Sequence, residues 1–117
     1  MHMVRLWHAF LNSLAALRWS FANEAALRQE FAALALALVV SPFIARDIGW
    51  WLALVGVLVL LIAVELLNTA LEKLADHVTP EHHPQIKVVK DLGSAAVFMA
   101  LALAIGVWLA ALMVRFL

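Results

Sequence analysis

A strongly apolar run that ends directly in a carboxylic acid constrains this chain more than any other feature. Residues 48–64 carry no charge, and Glu65 follows them. About 20 apolar residues span a bilayer as a helix, and a charged carboxylate at the centre of such a helix costs roughly 2.5–3.5 kcal/mol. We therefore interpret Glu65 as a functional residue; a structural carboxyl that is hydrogen-bonded between helices is the alternative.

Three further polar residues follow Glu65 on the same helical stripe. Asn68, Glu72 and Asp76 come three, seven and eleven positions later. At about 100° per residue, these offsets place all four side chains on one side of a helix. The stripe therefore predicts a polar site along one helix face.

The composition of the chain indicates an integral membrane protein. Hydrophobic residues make up 67% of the 117 residues, charged residues make up 14%, and the mean hydropathy is +1.00. A soluble domain of this size could not bury so much apolar surface. The formal net charge of zero argues against a nucleic-acid partner, and the absence of cysteine excludes disulfides and thiolate metal sites.

The apolar pattern predicts an all-α membrane protein with one domain over residues 1–117. Apolar residues recur every three or four positions near the N-terminus, as in an amphipathic helix that lies on the membrane surface. This surface helix and three transmembrane helices have predicted bounds of about 2–22, 26–45, 48–76 and 91–115. The first two spans form a hairpin, and residues 77–90 are predicted to be a polar cytoplasmic loop.

The distribution of lysine and arginine predicts the orientation in the membrane. In this topology two basic residues, Arg46 and Arg115, lie on one side, and six lie on the other: Arg5, Arg18, Arg28, Lys73, Lys87 and Lys90. Cytoplasmic loops carry the excess of basic residues, so the N-terminus is expected in the cytoplasm. Trp50, Trp51 and Trp108 are then expected in an aromatic belt at the outer interface.

The acidic residues suggest two different roles at the cytoplasmic boundary. Glu24, just before the first span, and Glu72 are expected at the same depth, where two carboxylates could hold Mg²⁺. Glu65 lies deeper and could act as a general base. Alternatively, Glu72 is a solvated residue paired with Lys73 or another neighbour, and Asn68 serves only to join helices.

Other polar groups could bind phosphate, although no glycine-rich phosphate loop of the G-x-x-x-x-G-K-[ST] type is present. Lys90 could hold a phosphate as a point charge, whereas Asp91 could simply favour the start of a helix. Glu81, His82 and His83 lie together in the polar segment, where a solvated loop is the alternative to a binding role.

Three sequence blocks resemble the signature blocks of the bacterial diacylglycerol kinases. They are residues 23–30 (NEAALRQE), residues 65–76 (ELLNTALEKLAD) and residues 90–96 (KDLGSAA). The resemblance covers roughly residues 23–98, about two thirds of the chain. The E-x-x-N-[ST]-A-x-E-x-x-x-D pattern of the second block is specific at this position.

The resemblance implies a small inner-membrane homotrimer whose active sites are shared between subunits. It implies transfer of the γ-phosphoryl group of MgATP to diacylglycerol, which gives phosphatidic acid. Glu65 matches the catalytic base, and Glu24 and Glu72 match the Mg²⁺-binding positions. The positions implied to bind ATP are Arg5, Asn12, Asn68, Asp76, Glu81, His82, His83, Lys90 and Asp91. The positions implied for the lipid substrate are Arg5, Arg28, Glu30, Glu65 and Ser94.

Two other functions stay open at this point. The loop sequence TPEHHP is similar to the branch of the family that phosphorylates undecaprenol, whereas Gly93 and Ser94 are similar to the diacylglycerol branch. The remote alternative is a small proton-coupled transporter, in which Glu65 would relay protons.

Overall fold

The protein is a bundle of four helices joined by short connections. The computed structural model describes residues 2–117, and the helices are α1 (His2–Asn23), α2 (Ala25–Ile44), α3 (Ile48–Val78) and α4 (Pro84–Phe116). No strand occurs among these residues, because a bilayer permits only segments that satisfy their own backbone hydrogen bonds. Helices α2, α3 and α4 are long and apolar enough to cross a membrane, which confirms the predicted all-α membrane fold.

Local signals at the helix ends explain the α2–α3 hairpin. Helix α2 continues through Pro42 and ends at Ile44, and Ala45 leaves the helical conformation. Asp47 then caps α3, because its carboxylate accepts a hydrogen bond of 2.9 Å from the backbone N–H of Trp50. A connection this short forces α2 and α3 to run antiparallel as neighbours.

The polar segment over 77–90 differs from the predicted loop. Helix α3 extends to Val78, and α4 already begins at Pro84, so that only residues 79–83 are not helical. His83 caps α4 through Nδ1, which accepts a 3.1 Å hydrogen bond from Gln85 N–H, and proline suits the first helical position. The prediction was wrong because polarity marks where a helix leaves the bilayer and not where the helix ends.

Helix α1 has an exposed apolar side and is anchored at its C-terminal end. Met3 and Trp7 are largely exposed, as expected for side chains that enter a membrane surface. Near the other end Ser20 is buried, and the Phe21 ring lies 6.2 Å from the Phe31 ring of α2. Arg28 strengthens this junction, because it donates hydrogen bonds to the last carbonyls of α1.

The three spans bury little of their own surface within one chain. Leu27 and Leu54 are completely buried, and the most extensive packing joins α3 to α4. Nevertheless, only 22%, 22% and 17% of the most apolar windows of α2, α3 and α4 are buried. Most of the apolar surface of each span is therefore available to lipid or to other protein chains.

Trp108 makes a helix contact that the sequence did not predict. Its indole N–H donates a 3.1 Å hydrogen bond to the carbonyl of Leu54, and this bond joins α4 to α3. The side chain is thus part of the helix contact and not simply part of an aromatic belt. The sequence shows how deep Trp108 lies in the span, but not which neighbour its helix face meets.

Replacement of Trp108 by phenylalanine tests this interhelical hydrogen bond. Trp108→Phe should lower the free energy of unfolding by about 0.5–1.5 kcal/mol, since hydrogen bonds between membrane helices contribute modestly. Unfolding by titration with SDS in mixed micelles would measure the loss. Trp50→Phe is the matched control, because the Trp50 indole donates no hydrogen bond among residues 2–117. Equal losses in both variants would contradict a role for the bond.

Candidate functional site

Carboxylates from two helices converge at one end of the bundle. Glu65 of α3 is half-buried, and the negative charges of Glu72 and Glu24 act on it. Glu65 in turn acts on Glu30, one oxygen of which is buried and has no hydrogen-bond partner in the described part of the chain. Like charges repel, so a group of four carboxylates is not retained for stability, and such an arrangement indicates a site for cations or protons.

Each carboxylate has its position for a local reason. Glu24 is the N-cap residue of α2, in the extended connection that follows α1. Glu30 lies in the second turn of α2 on the side that faces α3. Glu65 and Glu72 are two helical turns apart on α3, and the exposure of their side chains increases from Glu65 to Glu72. The predicted stripe on α3 therefore runs from the apolar interior towards water.

Asn68 lies between these two carboxylates and is buried. Its Nδ2 donates a hydrogen bond of 3.2 Å to Oε1 of Glu72, while its Oδ1 is buried and has no hydrogen-bond partner among residues 2–117. On the side of α4, Asn68 meets Gly93, where the amide oxygen occupies the space that a side chain would need. Asn68 thus joins the stripe to α4 and contacts the predicted metal ligand directly.

Lys73 of α3 lies beside the Glu24 carboxylate at the start of α2. The ammonium of Lys73 is 3.6 Å from Oε1 of Glu24 and 5.4 Å from the centre of the Trp19 ring on α1. Glu72 is not the partner of Lys73, in contrast to one interpretation of the sequence. A cation that binds Glu24 from solution would therefore compete with Lys73 for this carboxylate.

The basic residues at the loop end of the bundle are held in ion pairs. Lys90 lies 2.6 Å from Asp76, and this pair joins α4 to α3. Lys87 lies 2.6 Å from Asp91, one turn further along α4. Because these side chains are substantially exposed, the pairs contribute little to stability. They do keep two ammonium groups at the end of the bundle that carries Glu72.

The chain does not bring all predicted binding residues to the carboxylates. Among residues 2–117, no hydrogen bond or ion pair connects Arg5, Asn12 or Ser94 to the acidic group, and all three are exposed. Glu81 and His82 are exposed in the short connection before α4, and His83 is its cap. Arg28 is engaged with the carbonyls of Phe21 and Ala22.

The carboxylates of this site fit a Mg²⁺ ion whose other ligands are phosphate oxygens and water. In the described part of the chain, no three histidine or acidic side chains form a group that could enclose a metal ion. Mg²⁺ needs only one or two protein carboxylates when phosphate oxygens and water complete its shell. Glu24 and Glu72 supply this number, and Glu72 is the exposed member of the acidic group.

Three participants were missed by reasoning from the sequence. Lys87 was counted only as a basic residue for orientation, although it pairs with Asp91, and Lys73 was considered as a partner of Glu72, although it pairs with Glu24. Gly93 was regarded as a small residue that allows close helix approach, without Asn68 as its specific neighbour. The i,i+4 spacing of Lys87 and Asp91 was the available signal for one pair. Nothing in the sequence indicated the other two contacts, which join different helices.

Comparisons with known proteins agree with the three sequence blocks. The family model described as prokaryotic diacylglycerol kinase matches residues 11–112. The chain is 38% identical over 92 residues to a diacylglycerol kinase of Escherichia coli K12, which covers 79% of this chain and 75% of that protein. It is 36% identical over 104 residues to a diacylglycerol kinase of Pseudomonas aeruginosa, with 89% and 85% covered.

A relative from another lineage shows similar agreement along the chain. A diacylglycerol kinase of Helicobacter pylori strain 26695 is 32% identical over 104 residues, which cover 89% of this chain and 81% of that protein. The matched region includes α2, α3, nearly all of α4 and the carboxylates that converge between α2 and α3. The chain therefore belongs to the prokaryotic diacylglycerol kinase family and is a multi-pass membrane protein with the activity class of a lipid kinase.

Proposed function

We propose that this protein transfers the γ-phosphoryl group of MgATP to the hydroxyl of diacylglycerol and produces phosphatidic acid and ADP. The observation that carries the proposal is the position of Glu65, half-buried in an apolar helix, where the carboxylates of Glu72 and Glu24 act on it. A lipid alcohol and a soluble nucleotide can meet only at the boundary between water and hydrocarbon. We place the acidic group at this boundary, because Glu65 follows the apolar run of α3 and Glu72 is exposed.

Glu65 is the proposed general base. Its carboxylate accepts the proton of the lipid hydroxyl while that oxygen forms a bond to the γ-phosphorus. The bond between the γ-phosphorus and the β–γ bridging oxygen breaks, and ADP leaves with the electron pair. A positioned base contributes about 10²–10⁴-fold to the rate of such a transfer, and the rest comes from positioning and charge stabilisation.

Glu24 and Glu72 are the proposed Mg²⁺ ligands. When bound, Mg²⁺ supplies neutralisation of the negative charge that develops on the transferred phosphoryl group. These residues support the proposal because both carboxylates act on Glu65, and Glu72 is the exposed member of the acidic group. Lys73 holds the Glu24 carboxylate in the absence of another cation.

The remaining residues are proposed to bind the two substrates. The ammonium of Lys90 lies near the start of α4, where it pairs with Asp76. When the nucleotide binds, Lys90 would leave Asp76 and neutralise a phosphate. The proposed ATP-binding residues are Arg5, Asn12, Asn68, Asp76, Glu81, His82, His83, Lys90 and Asp91. The proposed lipid-binding residues are Arg5, Arg28, Glu30, Glu65 and Ser94.

The enzyme is proposed to act as a homotrimer in the inner membrane, with its N-terminus in the cytoplasm and no nucleic-acid partner. The excess of lysine and arginine near the acidic end supports this orientation, because it places the site where ATP is available. The small buried share of each span supports an oligomer. Active sites shared between subunits would also bring residues such as Arg5 and Ser94 to a carboxylate group on a neighbouring chain.

Removal of the proposed base tests the mechanism. Glu65→Gln should lower the turnover number by about 10²–10⁴-fold, because an amide cannot accept the hydroxyl proton. Thin-layer chromatography of lipids after incubation with labelled ATP and Mg²⁺ would measure the product. Binding of a fluorescent ATP analogue is the control and should change little. Full activity of this variant would exclude Glu65 as the base.

The Mg²⁺ dependence of the rate tests the other two carboxylates. Glu24→Gln and Glu72→Gln should each raise the concentration of free Mg²⁺ at half-maximal rate by about tenfold or more, since each loses one charged ligand. Lys73→Gln is the matched control: it removes the ion pair but keeps both carboxylates, so it should not raise the Mg²⁺ requirement. An unchanged Mg²⁺ requirement in both glutamate variants would argue against a metal site here.

A competition assay tests the identity of the lipid acceptor. With diacylglycerol and undecaprenol at equal mole fractions in mixed micelles, we expect phosphatidic acid as the main labelled product. The Gly93–Ser94 pair favours this acceptor, because it is similar to the diacylglycerol branch of the family. Preferential labelling of undecaprenol would assign the alternative activity of the same family. ATP-independent uptake of a solute in proteoliposomes, without lipid labelling, would favour a transporter.

A further inference from the structure

The Asn68 amide is held from both sides, by Glu72 on its own helix and by Gly93 on α4. Nδ2 donates to Oε1 of Glu72 at 3.2 Å, one helical turn away. Oδ1 is buried, and no conventional donor among residues 2–117 reaches it. Only 8% of Asn68 is exposed, so water cannot readily replace either contact.

The contact with Gly93 determines which way the amide points. A Cβ atom added to Gly93 would overlap Oδ1 of Asn68, so the Cα–H bond of the glycine that occupies this place points at the oxygen. Such Cα–H···O contacts recur where helices approach closely. The opposite orientation of the amide would place its oxygen against the Glu72 carboxylate, where two acceptors repel. Both neighbours therefore favour the same orientation.

Gly93 differs in this respect from the other glycines in the chain. A Cβ atom on Gly56 or Gly106 would meet nothing within 4 Å, and one on Gly49 would meet only the cap residue Asp47. The overlap at Gly93 is with the Asn68 amide, and the remaining neighbour, Leu71, lies at an ordinary contact distance. The requirement for glycine at this position is thus a requirement to leave room for Asn68.

We propose that Asn68 contributes to MgATP binding as a positioning residue: it is fixed by Gly93 and orients the Glu72 carboxylate for the divalent cation. This inference rests on the proposed function, because it concerns the same metal ligand. The donated hydrogen bond restrains Oε1 of Glu72 and leaves the other carboxylate oxygen free for the cation. Helix α4 thereby controls a metal ligand on α3 without contributing a ligand of its own.

Loss of the Asn68 hydrogen bond should weaken the binding of the cation, because this bond supports the metal ligand Glu72. Loss of such a partner typically lowers metal affinity or activity by about 10–100-fold. Asn68→Ala removes the hydrogen bond, and Gly93→Ala displaces the amide while it leaves Asn68 and Glu72 chemically intact. Both variants should weaken binding of the cation within this range. Gly106→Ala, on the same helix and with free space around it, should leave the binding unchanged.

Mn²⁺ provides a readout that does not depend on turnover. The full chain, in detergent micelles with a non-hydrolysable ATP analogue, would be titrated with Mn²⁺, and free Mn²⁺ would be measured by electron paramagnetic resonance. We expect dissociation constants at least tenfold higher for Asn68→Ala and Gly93→Ala than for the unmodified protein and for Gly106→Ala. A residue with only a structural role would reduce the amount of folded protein, but not the affinity of the folded fraction.

The double variant tests whether Gly93 acts through Asn68. In a protein that carries Asn68→Ala, the added methyl group at position 93 no longer meets the amide, so Gly93→Ala should cause little further loss of Mn²⁺ affinity. Additive losses would show that Gly93 acts independently and would overturn this part of the proposal. If Gly93→Ala does not give a monodisperse protein, Asn68→Ala alone tests the positioning role, because this substitution removes atoms and creates no overlap.

The outcomes separate this inference from the proposed function. Unchanged Mn²⁺ affinity in Asn68→Ala, with normal binding by the unmodified protein, would overturn the positioning role and leave the kinase intact. Failure of the unmodified protein to bind Mn²⁺ in the presence of the nucleotide analogue, together with absent lipid phosphorylation, would overturn both. Weaker binding in Asn68→Ala and Gly93→Ala, but not in Gly106→Ala, would support the inference.

Discussion

The hydrocarbon interior of a membrane offers no hydrogen-bond partners to a polypeptide, and the architecture of this protein follows from that constraint. Backbone groups in the bilayer must pair within their own segment, so the spans are helices and their connections are short. The same constraint gives unusual weight to every polar side chain inside the bundle. Asn68 and Glu65 are retained there only because neighbouring groups or a function compensate for their loss of water.

The site extends along one face of α3. Glu65 is half-buried, Asn68 is buried and Glu72 is exposed, so one helix face connects hydrocarbon to water over two turns. Helix α2 contributes Glu24 and Glu30, and α4 contributes the ion-paired Lys90. The soluble nucleotide would thus meet the exposed part of the site, and the lipid would meet its apolar part. A reaction between a nucleotide and a lipid needs this arrangement more than it needs an enclosed pocket.

Much of this organisation could be predicted from the spacing of residues. The apolar runs indicated three spans, and the offsets among Glu65, Asn68 and Glu72 indicated one helical face; the hydrogen bond between Asn68 and Glu72 agrees with that spacing. Predictions were poorer where a polar segment is helical instead of forming a loop. Residues 84–90 are helical although the segment is rich in polar residues, because His83 caps the start of α4 and Pro84 suits its first position.

The sequence by itself determined the helices, their membrane character and the polar stripe of α3, because helical periodicity and hydropathy are local properties. Only the tertiary structure decided which helix faces meet. It paired Lys73 with Glu24, Lys90 with Asp76 and the Trp108 indole with the Leu54 carbonyl. It also placed Gly93 against the Asn68 amide. Such contacts depend on the rotation of each helix about its axis, which packing against neighbours sets and which no single segment encodes.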